Sequence, residues 1–320
     1  MELAGTQRIA VADVRLPQPV SSGDLILDRR FEWARESLAA GDAGAVSDML
    51  GDVVRSAPRF APAWFLLAEA RETLGDRDGA IEAYGQALAA DESDRQGAAV
   101  RLARLGALPP VAMPTAYIRS LFDGYAPGFE DSLVGRLGYR GPDLLVDALA
   151  RAAPLTTLNS VLDLGCGTGL AGAAIRPHAK RLTGVDLSPR MLQAARDKDV
   201  YDRLAEGECM TFLREEAVAG ARHDLILAAD VFIYFHELMQ VPRFAVPVMT
   251  PGAMVTFSVE THEGDGVILR DTLRYAHGEA HVRHALAQGG MELVCLESAP
   301  ARNEKGEPVP GLVVVARKPV

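Results

Sequence analysis

The stretch VLDLGCGTGL, residues 161–170, constrains the fold more than any other part of the sequence. A short apolar segment that contains Asp163 runs directly into glycines at positions 165, 167 and 169. Glycine allows positive backbone angles and lets a ligand approach the main chain closely. In an open parallel sheet, ligands bind at the carboxyl ends of the strands, beside the point where the strand order reverses. The stretch therefore predicts a first strand, a tight turn and a small ligand that lies on the turn.

Apolar strands and helical stretches alternate through residues 115–320, which favours an α/β fold. Such alternation is typical of a mostly parallel sheet with helices on both faces. The last two strands flank a polar turn, ARNEKGEPVPG, so we expect them to form an antiparallel hairpin at one edge. The strand segments are VLDL, RLTGVDL, HDLILAAD, MVTFSVE, MELVCLES and GLVVVAR.

The segment APAWFLLAEARETLGDRDGAIEAYGQALAADE predicts two amphipathic helices joined by a turn at Gly75 and Asp76. It resembles a tetratricopeptide repeat, and a degenerate copy lies 34 residues earlier, where Arg30 stands in place of Trp64. A further helix over residues 95–106 would cover the open end of the stack. The matched pairs are Ala34 with Ala68, Gly41 with Gly75, Leu50 with Tyr84 and Val53 with Ala87.

These patterns predict a chain with two folded parts. Paired prolines at positions 109 and 110 stop the last helix of the repeat region and stiffen the connection that follows. The expected parts are a flexible tail over residues 1–25, an all-α tetratricopeptide-repeat domain over 26–108, a linker over 109–114 and the α/β domain over 115–320.

The composition of the chain indicates which binding partners and which cellular compartment to expect. With 33 Lys and Arg against 43 Asp and Glu, the formal net charge is -10, whereas nucleic-acid binders usually carry a basic stripe. No apolar run approaches the roughly 18 residues of a membrane span, and no charged-then-apolar leader begins the chain. Three scattered cysteines predict thiols rather than a disulfide framework or a zinc cluster. We expect a cytoplasmic protein that binds neither nucleic acid nor membranes.

Two classes of ligand use a glycine turn of this kind, dinucleotides and S-adenosylmethionine. Leu170 stands where the last glycine of a G-x-G-x-x-G dinucleotide fingerprint would be. The carboxylate of Asp163 would repel a pyrophosphate but attract the ammonium and sulfonium of S-adenosylmethionine. Asp186 closes the second apolar strand about 20 residues after the turn, where a carboxylate can hold both ribose hydroxyls. Ser188 and Pro189 then begin a helix, as cap and first residue.

Together, the glycine turn, its two carboxylates and the strand pattern resemble a class I S-adenosylmethionine-dependent methyltransferase over residues 115–320. The resemblance implies a Rossmann-like seven-stranded sheet and S-adenosylmethionine as the cofactor. It also implies that Glu208 takes the adenine amino group, that Cys209 adds a backbone contact and that Tyr125 touches the methionine carboxylate. The full set of implied cofactor residues is Asp163, Gly165, Cys166, Gly167, Gly169, Asp186, Leu187, Met191, Glu208, Cys209, Asp230 and Tyr125.

With the repeat region included, nearly the whole chain resembles a bacterial group of predicted methyltransferases that contain tetratricopeptide repeats. In such enzymes the cofactor supplies most of the activation, and the protein aligns the acceptor with the methyl group. A phenol, alcohol or protonated amine acceptor also needs a base. We favour His277 and His236, which titrate nearest neutral pH, and then Tyr234, with Glu260 and His262 as further candidates. His277, His281 and His284 lack a carboxylate or thiol at ligand spacing, so we expect no metal.

The methyl acceptor is open between a small molecule and a protein. Enzymes that methylate base amines or glutamine amides carry a polar-Pro-Pro-aromatic motif after the fourth strand. This chain does not resemble them there, because it has DVFIY. The preferred hypothesis is therefore O- or N-methylation of a small-molecule acceptor, with the repeat domain shaping the entrance or mediating self-association. One alternative is a protein or peptide methyltransferase whose substrate is recruited by the concave face of the repeats. A second is an interaction protein that senses the cofactor without catalysis.

Overall fold

The computed structural model describes residues 21–154 and 157–320, and residues 1–20 of the predicted tail lie outside this description. The described chain forms two compact units. One holds residues 21–120 and 269–275, and the other holds 121–154, 157–268 and 276–320. No helix in the described ranges is both long and apolar enough to cross a membrane.

The first unit is built from five helices joined by short connections. Aspartates cap three of them, since the side chains of Asp24, Asp42 and Asp76 accept hydrogen bonds from backbone amides of the first turn. Each of the first four helices packs against its neighbour in sequence, and the fifth packs against the fourth. Their bounds are α1 Leu25–Ala39, α2 Ala43–Ser56, α3 Ala61–Thr73, α4 Arg77–Ala90 and α5 Ala98–Arg104.

Residues 34 positions apart have similar turn geometry or similar burial in the helical unit. The turns after α1 and α3 each contain a glycine with positive φ, 92° at Gly41 and 79° at Gly75. The other matched pairs all lie buried in one apolar core. On α5, Arg101 and Arg104 form ion pairs with Glu69 and Glu72 of α3, which fasten this short helix to the stack.

The second unit is an α/β fold whose central sheet has the order β3-β2-β1-β4-β5-β11-β8. The first five of these strands run parallel, and β11 is antiparallel to both β5 and β8. Helix α6 Thr115–Tyr125 has only its residues 121–125 in this unit, and the other helices are α7 Gly141–Ala152, α8 Leu170–Ile175, α9 Pro189–Asp197, α10 Cys209–Val218, α11 Gln240–Ala245 and α12 Glu279–Gln288. The strands on this path are β1 Val161–Leu164, β2 Leu182–Asp186, β3 Arg203–Glu206, β4 His223–Ala228, β5 Met249–Glu260, β8 Glu292–Ser298 and β11 Gly311–Arg317.

The expectation of a Rossmann-like, mostly parallel sheet with an antiparallel edge is confirmed, but the sheet is larger than seven strands. Two short strands, β6 Val267–Leu269 and β7 Tyr275–His277, bring it to nine, and β7 pairs with the end of β5 through Ala276 and Glu260. A separate small hairpin, β9 Asn303–Glu304 and β10 Glu307–Pro308, occupies the predicted polar turn. Runs of two or three residues carry too little periodicity to be recognised as strands in a sequence.

Alternate residues of the strands feed apolar cores on the two faces of the sheet. Leu162 and Leu164 of β1 join a cluster with α10, α11 and α12, whereas Val161 joins a second cluster with α7 and α8. This two-residue period follows from strand geometry. Because helices cover both faces of the sheet, the polar residues at the carboxyl ends of the parallel strands lie along one edge of it.

Tyr201 lies close to three glycines and fixes the spacing of the elements that carry them. A Cβ built on Gly184 in β2 would lie 2.8 Å from the Tyr201 ring and 2.9 Å from the sulfur of Cys166. A Cβ on Gly172 in α8 would lie 2.2 Å from the Tyr201 hydroxyl, and one on Gly169 would lie 3.1 Å from the ring. Only glycine leaves room for the tyrosine at the first two positions.

Gly184→Ala tests this packing. The added methyl group meets a ring and a sulfur atom that are held by their own neighbours, so we expect a loss of about 1–3 kcal/mol in unfolding free energy. Gly135→Ala is the matched control, because a Cβ there meets no atom within 4 Å. Differential scanning calorimetry of the two variants measures the difference. Equal melting temperatures would contradict the close approach of Tyr201 to β2.

Candidate cofactor and acceptor site

The glycine turn after β1 has the left-handed backbone that its sequence predicts. Gly165, Gly167 and Gly169 have φ of 60°, 55° and 90°. A Cβ on Gly165 would lie 2.5 Å from Val231, whereas one on Gly167 would meet no atom within 4 Å. The amide of Cys166 donates to the carbonyl of Val185 at 2.9 Å, which joins the turn to β2. Gly167 therefore presents its bare main chain to open space.

Asp186, at the end of β2, holds the turn through backbone amides. Its Oδ2 accepts from the amide of Gly167 at 2.9 Å, and its Oδ1 accepts from the amide of Ser188 at 2.8 Å. Ser188 in turn caps α9 by accepting from the amide of Met191 at 3.1 Å. Burial raises the pKa of Asp186 to about 6, although the two amides lower it. The carboxylate of Asp186 thus connects the glycine turn to the segment that follows β2.

Asp163 lies beneath the turn and is only 1% exposed. The hydroxyl of Tyr201 donates to its Oδ2 at 2.6 Å. Its Oδ1 is buried and has no hydrogen-bond partner among the described residues. Burial raises the pKa of Asp163 to about 7, while the Tyr201 bond and the backbone of Gly172 lower it. No motif in the sequence pointed to Tyr201, because it lies between α9 and β3 without a local pattern.

The predicted adenine contacts lie at the ends of β2 and β3. Glu208 is the N-cap of α10, and its two carboxylate oxygens accept from the amides of Met210 and Thr211 at 2.8 and 2.7 Å. Cys209 begins that helix and is buried, which raises the pKa of its thiol. Leu187 is half-buried and Met191 is fully buried. Glu208 therefore has a structural task that the sequence analysis did not anticipate.

A segment before the sheet is fastened to the same loops. The hydroxyl of Ser188 donates to Asp123 at 2.6 Å, and Glu130 forms an ion pair with Lys198 at the end of α9. Within this segment the hydroxyl of Tyr125 is 2.7 Å from that of Ser132. The predicted methionine-carboxylate contact thus lies in a segment that is tied down over the loop after β2.

Asp230 follows β4 in a left-handed conformation, with φ of 56°. It was expected to face the cofactor, but both its carboxylate oxygens bind protein groups. Ser258 donates to Oδ1 at 2.7 Å, and Arg302 pairs with Oδ2. Arg302 also pairs with Glu260 at the end of β5 and with Glu304, and the side chains of Arg302 and Glu260 are only 5% and 4% exposed. The three carboxylates raise the pKa of Arg302, although burial lowers it.

His277, a predicted base, lies inside the protein. Its side chain is fully buried, and its Nε2 is 3.3 Å from the carbonyl of Phe232. The ring stacks on His281 with 5.6 Å between centroids, and burial lowers the pKa of His277 to about 3. Its lowered pKa makes His277 a weak base, and its ring is enclosed by protein in the structure. Strand β7, absent from the predicted fold, is what places His277 inside.

The other two predicted bases remain at the surface of the site. Tyr234 and His236 follow β4 and are half-buried, and the ring of Tyr234 packs edge-on against Phe122 at 5.6 Å. His281 and His284 lie on α12. Within the described residues, no group of three or more His, Cys, Asp or Glu side chains is arranged to hold a metal ion.

Comparisons with known proteins place a methyltransferase domain at this site. Residues 162–255 match the family described as a methyltransferase domain. The human methyltransferase-like protein 27 is 32% identical over 177 residues, which is 53% of this chain and 66% of that protein. The malonyl-[acyl-carrier protein] O-methyltransferase of Serratia marcescens is 27% identical over 135 residues, 42% of this chain and 51% of that protein. The ribosomal protein L11 methyltransferase of Chromohalobacter salexigens is 42% identical over 69 residues, 21% of this chain and 23% of that protein.

Among solved structures, an S-adenosylmethionine-dependent methyltransferase from Clostridium acetobutylicum aligns with a TM-score of 0.46 and 17% identity, over 61% of this chain and 98% of that one. The chain spans between 23% and 66% of the length of the three curated relatives above. Over residues 162–255 the chain therefore matches a methyltransferase domain, and the cofactor of such a domain is S-adenosylmethionine.

Arg302→Met tests the ion network at the ends of β4 and β5. Removing the guanidinium takes away the buried cation that Asp230 and Glu260 share, so we expect the free energy of unfolding to fall by about 3–5 kcal/mol. Arg151→Met is the control, because Arg151 pairs with Glu297 at the surface, where the two side chains are 52% and 38% exposed. That variant should lose far less stability than Arg302→Met, because water screens an exposed ion pair. Urea unfolding followed by circular dichroism compares them, and similar losses would contradict the network.

Proposed function

We propose that the α/β unit binds S-adenosylmethionine on the glycine turn and transfers its methyl group to a small-molecule acceptor, at oxygen or nitrogen. The observation that carries this proposal is the pair of buried carboxylates, Asp163 and Asp186, that flank a bare turn. Two carboxylates favour a cationic nucleoside over a polyanionic dinucleotide, because a pyrophosphate beside them would be repelled.

The described residues fit this cofactor. Asp163 has a buried oxygen without a partner, which suits an ammonium group. Each oxygen of Asp186 accepts one amide and keeps a second lone pair for a ribose hydroxyl. Each oxygen of Glu208 likewise keeps one for an adenine amino group. Leu187, Met191 and the backbone of Cys209 complete the proposed nucleoside contacts.

S-Adenosylmethionine, when bound, supplies a methyl group activated by a positively charged sulfur. The chain has to align the acceptor with that methyl group and remove a proton where the acceptor carries one. Tyr234 and His236 are the proposed proton-handling groups, since both follow β4 and keep some exposure. His277 is proposed to position the segment that carries them, because its Nε2 contacts the carbonyl of Phe232.

We also propose that residues 26–108 form tetratricopeptide-like repeats that are followed by a linker over 109–114 and the methyltransferase domain over 115–320. The matched burial and turn geometry of positions 34 residues apart support this. Such repeats recruit protein segments or a second copy of the chain. They are the reason to keep a protein acceptor as the second candidate function, and the name of one relative, a ribosomal protein methyltransferase, supports the same candidate.

Asp186→Ala tests the cofactor assignment. The variant leaves ribose hydroxyls without an acceptor, so we expect binding of S-adenosylmethionine to weaken by about 1–3 kcal/mol, or roughly 5- to 150-fold. Asp197→Ala, an exposed change on α9, should bind like the unchanged protein. Isothermal titration calorimetry measures both, with circular dichroism to verify folding. Binding of NAD without S-adenosylmethionine would overturn the proposal.

Labelling of a cell extract tests the class of acceptor. The protein is incubated with S-adenosylmethionine that carries a radioactive methyl group, and the products are separated by size. We expect label in small molecules, because the segment after β4 lacks the motif of amide and base-amine methyltransferases. A preparation that carries Asp186→Ala is the control for other enzymes. Label confined to macromolecules would favour the protein acceptor instead.

A further inference from the structure

Tyr201 has a more specific place in the site than its sequence position suggests. The residue lies between α9 and β3, outside every motif, yet its hydroxyl is bonded to the carboxylate beneath the glycine turn at 2.6 Å. That bond joins residues 38 positions apart in the chain. It occupies one oxygen of Asp163 and leaves the other, Oδ1, buried without a partner among the residues described.

The tyrosine ring cannot easily take another position. Gly169, Gly172 and Gly184 belong to three different segments, and each would place a Cβ within 3.1 Å of the side chain of Tyr201. Ring and hydroxyl are therefore enclosed by main chain from the turn, α8 and β2. A donor held this rigidly keeps the plane of the accepting carboxylate fixed as well, since the hydrogen bond is directional.

The same bond controls the charge of Asp163. Burial raises the pKa of this carboxylate to about 7, and the hydroxyl of Tyr201 lowers it. Asp186, on β2, raises it through charge repulsion. Burial raises the pKa of the other titratable neighbours, so they stay neutral near pH 7; these are Tyr201 itself, Cys166 in the turn, Cys209 on α10 and Tyr139 before α7.

We propose that Tyr201 is a positioning residue for the cofactor, which fixes and ionises Asp163 so that its free oxygen receives the ammonium group of S-adenosylmethionine. The inference rests on the proposed function, because it assigns Asp163 to that ligand. It adds a residue that acts only through Asp163. Its role is electrostatic as well as structural, and the two parts can be separated by removing the hydroxyl while keeping the ring.

Tyr201→Phe makes that separation. The phenyl ring still fills the space beside the three glycines, but Asp163 loses the donor that favours its charged form. We expect the pH midpoint of S-adenosylmethionine binding to move upward by about one to two units. Affinity at pH 7 should fall about tenfold, and the difference from the unchanged protein should close toward pH 9. Titration of the ligand's own amino group is common to both proteins and cancels in the comparison.

Isothermal titration calorimetry with S-adenosylmethionine between pH 6 and pH 9 is the measurement. The matched control is Tyr84→Phe, because Tyr84 also donates to a carboxylate, Glu72, but in the helical unit. It should leave the pH midpoint unchanged. In an Asp163→Asn background, Tyr201→Phe should no longer shift the pH midpoint, which assigns the shift to this carboxylate. Calorimetric melting of each variant verifies that the fold is kept.

The possible outcomes distinguish a failure of this inference from a failure of the proposed function. A Tyr201→Phe protein that binds S-adenosylmethionine with the original pH profile would overturn the inference and leave the proposed function standing. A midpoint shift that Tyr201→Phe still produces in an Asp163→Asn background would overturn it too, because another group would then be responsible. If the unchanged protein binds no S-adenosylmethionine at any pH, the proposed function fails and the inference fails with it.

Discussion

The site depends on two carboxylates that the fold takes out of water. An ionised carboxylate loses several kcal/mol of hydration when it is buried, and only well-placed donors offset this loss. Asp186 receives a backbone amide on each oxygen, whereas Asp163 receives the hydroxyl of Tyr201 on Oδ2, and its Oδ1 has no partner among the described residues. Asp186 therefore stabilises the turn. Burying Asp163 costs stability, as is common for residues at functional sites.

The sheet explains why these groups meet. In an open α/β sheet the ligand crevice lies where the strand order reverses, which is here between β1 and its two neighbours, β2 and β4. Asp163 lies on β1 and Asp186 lies on β2. Asp230 and Glu260 lie at the ends of β4 and β5, where Arg302 pairs with both. Asp163 and Asp186 are thus bonded to a hydroxyl and to backbone amides, whereas Asp230 and Glu260 belong to an ion network.

Sequence patterns were sufficient for the parts that repeat or that lie close together in the chain. The long strands, the glycine turn and Asp186 at the end of β2 each have a local signature, and the structure has the predicted fold class. Tyr201 and Arg302 have no such signature, because their partners lie 38 and 72 residues away and only the folded sheet brings them together. The burial of His277 was not predicted for a related reason. Its burial depends on β7, a strand of three residues that no periodicity reveals.

The buried position of Asp163 also bears on how a cationic ligand would be held. With a pKa of about 7, this group exchanges its proton at neutral pH at little free-energy cost, and the protein can fold with it largely uncharged below that pH. An ammonium group placed against the free oxygen stabilises the charged form, so binding expels the proton and creates the ion pair in one step. An amide in place of the carboxylate would remove the cost of burial but also the charge. The hydroxyl of Tyr201 resolves this conflict, because it lowers the cost of ionisation without supplying a positive charge that would compete with the ligand.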